Sequence, residues 1–159
     1  IIETQARALP IFGWVGALLG APLVVPLAGA AYAFTLRFFL ASEIGFGRVL
    51  GVVAWSFLAV AAVTQPLALG VLALKADWSI NPTRALQASL AALLEPDSVP
   101  RGLLAAAESL DLFSFCVLFL LYVGFRVGTG LGPRPIAAAV LVPWALYVLG
   151  KAGFAALTG

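Results

Sequence analysis

Two stretches without a charged side chain limit what this chain can fold into: residues 8–36, 29 in a row, and residues 49–74, 26 in a row. A bilayer hydrocarbon core is ~30 Å thick and takes about 20 apolar helical residues to cross. Both runs clear that length. Two shorter charge-free runs follow, 14 residues at 112–125 and 16 at 135–150. The third reaches spanning length by adding the apolar residues before Asp111, and the fourth by continuing past Lys151 to Leu157. Hydrophobic residues make up 63% of the chain and charged ones 10%, whereas soluble domains run at roughly 45–50% and about 25%. A soluble fold of this size leaves too much surface in water to hide that apolar excess. The expected fold is therefore all-α: a single polytopic transmembrane helical bundle with spans at about 10–36, 49–74, 110–127 and 135–157.

The same residues narrow the chemistry. A net charge of +2 gives no footprint for nucleic acid. Histidine is absent, which removes the commonest general base and the commonest metal ligand together. Cys116 is the single cysteine, so neither an internal disulfide nor a thiolate metal cluster can form. Lying inside an apolar run, it reads as a buried, inert thiol. There is no GxSxG, no P-loop and no HExxH. The runs hold no Asp, Glu, Lys or Arg at mid-depth, where proton and ion pathways usually place one. The expectation is a protein that is not an enzyme and has no metal and no cofactor.

Within the first span, Pro22 and Pro26 lie one turn apart, and each withholds a backbone donor. A kinked span is the preferred reading, a re-entrant pair of half-helices the alternative. Gly16 and Gly20 form a small-xxx-small pair, as do Gly124 and Gly128 in the third span; this spacing lets helix backbones approach closely in lipid, though glycine is also simply common in membrane helices. The link at 37–48 holds Ser42, Glu43, Gly45 and Gly47, with Phe38 and Phe39 placed for the headgroup level. Pro66 is expected to kink the second span beside Thr64 and Gln65, and a buried Gln there reads first as a helix–helix hydrogen bond and second as a transport site.

Residues 75–109 form the longest polar region. Asn81-Pro82 is a helix start, and Leu86, Leu90, Leu93 and Leu94 recur at helical spacing. After Glu95-Pro96-Asp97 a second helix is expected, with Leu103, Leu104, Ala107 and Leu110 on one face. Two amphipathic helices, at about 82–95 and 99–109, suit the membrane interface, with Trp78 in the aromatic belt, or a cap on the spans. Asp111 stands where a carboxylate caps the free N–H groups of the third span. Residues 126–134 read as a tight hairpin, and Pro143 lies inside the fourth span, where Lys151 can snorkel outward near its end. The two short links carry Arg37, Arg48, Arg126 and Arg134 against Glu43 alone, whereas Lys and Arg on the other side are matched by acids. Basic density in short loops makes these links the cytoplasmic ones.

The segment "SLDLFSFCVLFLLYVGFRVGTGLGPRPIAAAVLVPWALYVLGKAGFAAL", residues 109–157, resembles the Yip family of Ypt/Rab-interacting membrane proteins and their bacterial relatives. The likeness rests on Leu110-Asp111-Leu112-Phe113, then Gly124, the basic link from Arg126 to Arg134, and the late Lys151. In "GFGRVLGVVAWSFLAVAAVTQPLALGVLAL", residues 45–74, it rests on Phe46, Arg48, the aromatic "VVAWSF" and Pro66. The resemblance implies five spans with one ahead of Ile1, no catalysis, and work done through protein contacts in the bilayer. Eukaryotic members are associated with Rab GTPases, and some bacterial ones accompany export systems. The Ala, Gly and Arg bias suits a bacterial chain of the cytoplasmic (inner) membrane, so Rab binding is not carried over. The expected partners are the lipid bilayer and other membrane subunits, met through the Gly16/Gly20 and Gly124/Gly128 faces. The alternative is a transporter or channel component whose path is lined by the helices of Pro22, Pro26, Pro66 and Pro143.

Overall fold

A computed structural model describes residues 23–75 and 99–158 of the chain. They are helical almost throughout. Helix α1 covers Leu23–Phe39, its last turn, Thr35–Phe39, widened to π geometry. Then come α2 (Phe46–Lys75), α3 (Arg101–Ser109), α4 (Leu112–Thr129) and α5 (Pro133–Thr158). Three helices are long and apolar enough to cross a membrane: α2 over Phe46–Val71, α4 and α5. The chain is an all-α membrane bundle. Residues 10–22 of the first expected span, with Gly16, Gly20 and Pro22, lie outside the described residues, as does the expected helix at 82–95.

Helix ends fall further out than the charge pattern placed them. α1 runs through Arg37 to Phe39, and α2 starts before Arg48. Backbone hydrogen bonding does not stop where the apolar side chains stop, and a long guanidinium stem reaches out from a terminal turn. The 37–48 link thus shrinks to residues 40–45. Its reversal is made by Ala41, at φ 48°, rather than by Gly45 or Gly47. The Ser42 N–H returns to the Leu36 carbonyl at 3.0 Å and closes the widened turn. The hairpin at 126–134 likewise narrows to residues 130–132. Gly130 holds φ 69°, and its N–H bonds the Arg126 carbonyl at 3.0 Å. Only a residue without Cβ takes that left-handed helix cap at no steric cost.

The core lies in the half of the bundle next to these two links. Leu36, Val49, Val53, Leu121, Phe125, Ile136 and Val140 are its fully buried side chains. The Tyr32 and Phe125 rings meet with centroids 5.4 Å apart. Outside this cluster the surface is apolar, as a bilayer requires: only 17%, 17% and 11% of the α2, α4 and α5 spans is buried inside the chain. Cys116, expected to be buried, is exposed on α4. An apolar run in lipid does not tell inward from outward positions, because both faces are apolar.

The start of α4 is the best-defined cap. Asp111 Oδ1 accepts from the Ser114 N–H at 2.6 Å and Oδ2 from the Ser114 hydroxyl at 2.9 Å. Replacing an N-cap Asp by Ala costs about 1 kcal/mol. Asp111→Ala should lower the thermal midpoint in detergent, and Asp111→Ser should restore most of it. Equal melts for wild type and Asp111→Ala would remove the cap from the stability of α4.

Candidate functional site

Of the sequence-nominated residues, Gly124, Gly128 and Arg48 come together. A methyl built on Gly124 would lie 2.6 Å from Val52 Cγ1, and one on Gly128 would lie 3.3 Å from Ile44 Cδ1 and 3.9 Å from Arg48 Cδ. This small-xxx-small face therefore holds α4 on α2 and on the link before it. The contact it makes is within the chain, so it is not a surface left open for another subunit. Arg126 is exposed in the last turn of α4, and Phe113 is half-buried in its first turn.

The other nominated residues stand apart. Pro26 is exposed on α1. Pro66 and Pro143 sit inside continuous helices, each depriving the carbonyl four residues earlier of its partner. Pro66 is exposed, and so is Gln65, the residue expected to be buried. Among the described residues nothing hydrogen-bonds the Gln65 amide. No three Cys, Asp or Glu side chains come together among the described residues either.

At the far end, α3 lies against the last turns of α5. A Cβ on Gly102 would come within 2.8 Å of the Ala152 carbonyl oxygen, so this contact needs a glycine. Lys151 Nζ meets Glu108 Oε2 at 3.4 Å and donates to Ser109 Oγ at 3.2 Å. The Ser109 hydroxyl in turn donates to the Ala105 carbonyl at 3.0 Å. Lys151 thus ties α5 to α3 rather than reaching for headgroups alone. Both charged side chains are more than a third exposed, so the pair contributes less than about 1 kcal/mol. Lys151→Met should change the melt only slightly at physiological salt and should reduce its salt dependence. A loss of several degrees would show that α3 docking hangs on this pair.

Sequence reading missed Gly102 and the Lys151 partners, which lie 42 and 43 positions away in the chain. It placed Arg37 in a basic link but missed the bond its Nε donates to the Ile44 carbonyl at 3.1 Å. The local signals were an uninterrupted Gly-Leu-Leu-Ala pattern and one more basic residue at a helix end. No family model, curated protein or solved structure matches the chain.

Proposed function

We propose that this chain is a non-enzymatic scaffold or accessory subunit of the Yip type in a bacterial cytoplasmic membrane, binding other membrane subunits by helix–helix contact. The observation that carries this reading is Gln65, an amide exposed on the apolar second half of α2 with no hydrogen bond among the described residues. An unsatisfied polar group in hydrocarbon is costly, and membrane helices satisfy such groups with a neighbouring helix. Gln65 stands beside Pro66, whose missing N–H leaves the Ala62 carbonyl as a second polar group on that stretch. The likeness of residues 109–157 and 45–74 to the Yip pattern supports the same class, and the basic links suit the cytoplasmic side.

The test is purification in mild detergent of wild type and Gln65→Leu. A membrane protein held at fixed stoichiometry by wild type, and lost with Gln65→Leu, is the expected result. Solute flux through proteoliposomes containing only this chain would overturn the scaffold reading in favour of a transport path along the proline-bearing helices.

A further inference from the structure

The two short links put α1, α2, α4 and α5 together at one end of the bundle, and that end carries Arg37, Arg48, Arg126 and Arg134 against Glu43. All four guanidinium side chains are exposed. Among the described residues the one ion pair is Lys151–Glu108, at the opposite end, so none of the four is neutralised by a carboxylate. Arg37 differs from the others because its Nε is held by the Ile44 carbonyl. That bond fixes the guanidinium plane and leaves the terminal amino groups to a ligand.

Beside Arg37 stands an aromatic wall. The Phe34 and Phe38 rings stack at 5.1 Å and 12°, and Phe39 meets both edge-on at 6.0 and 5.5 Å. The three rings are 58%, 73% and 69% exposed. Ala33, Phe34, Arg37 and Phe38 line a shallow depression there. A ligand matching this surface must bring an anionic oxygen group to a planar fork of donors and an apolar chain to the rings. We propose that the Arg37 depression binds the headgroup phosphate of an anionic phospholipid, its acyl chain lying on Phe34 and Phe38. Arginine suits phosphate because its donors engage two oxygens at once, and aromatic rings settle at headgroup depth. Arg48, Arg126 and Arg134 add the positive field that favours an anionic over a zwitterionic lipid.

The test uses the whole chain in detergent, with retained lipid counted by native mass spectrometry. The probes are phosphatidylglycerol and phosphatidylcholine of matched acyl chains, with inorganic phosphate as competitor. Phosphatidylglycerol should be retained in preference, and Arg37→Gln should lower that retention about fivefold, as expected for one basic contact at a lipid surface. Arg37→Lys should fall between the two, and Arg101→Gln, at the opposite end, should retain as wild type does. Equal retention of the two lipids, or retention unchanged by Arg37→Gln, overturns the proposal. Displacement of the lipid by millimolar phosphate also overturns it, by assigning a free-anion site. If Arg37→Gln shifts the thermal melt, Phe38→Ala, which leaves the Arg37–Ile44 bond in place, decides instead: reduced phosphatidylglycerol retention supports the site, and unchanged retention refutes it.

Discussion

Phe125→Ala is expected to be the most damaging single substitution in the described bundle, lowering stability by about 3 kcal/mol, the lower end of the range for buried Phe to Ala. Phe125 is wholly buried, packs its ring against Tyr32, and belongs to the cluster that joins α1, α2, α4 and α5. In lipid the transfer of apolar surface contributes little, since the acyl chains are as apolar as the core. What remains is the loss of close contacts around the hole, and stiff neighbours such as Val49, Val53 and Ile136 collapse into it poorly. Phe125→Leu should cost much less. The measurement is chemical or thermal unfolding in a fixed detergent, followed by helical circular dichroism. A Phe125→Ala protein that melts with wild type would place the stabilising contacts elsewhere.

The neighbouring residue should fail in the opposite direction. Gly124→Leu adds volume where even a methyl would sit 2.6 Å from Val52 Cγ1. Val52 is β-branched on a helix and has one strongly preferred rotamer, so α2 and α4 must separate. Overpacking of this kind costs about 1–3 kcal/mol. Gly124→Ala should show a smaller loss, and Val52→Ala should rescue Gly124→Ala while destabilising the wild type on its own. That non-additivity is the signature of direct contact. Additive effects of the two substitutions would mean that the helices do not meet at this pair.

The architecture was legible because its strongest signal, charge-free length, is also the physical requirement of a bilayer. Helices α4 and α5, the helix before Asp111 and the Asp111 cap could be read in the same way, because each depends on residues close in sequence. The direction each side chain faces was not legible. Cys116 and Gln65 both lie in apolar runs and both turn outward, where apolarity is the same on either side. Nor did spacing show what a small residue packs against. Gly124 and Gly128 have the pattern of an intermolecular face yet seat α2 and its preceding link, and Gly102, in no motif, makes the close approach of α3 to α5. Ala41, in no motif, takes the left-handed backbone of a link that also holds Gly45 and Gly47.

At 18 residues α4 extends for about 27 Å, whereas the 26 residues of α5 extend for about 39 Å. A hydrocarbon layer of ~30 Å is slightly too thick for the first and too thin for an upright second. Lipids beside α4 must draw in, while α5 has to lean or let its last turns emerge next to α3. The protein therefore presents unequal hydrophobic heights around its circumference, and such mismatch costs fractions of a kcal/mol per ångström. Bilayer thickness thereby becomes a variable that its packing and its neighbours can feel.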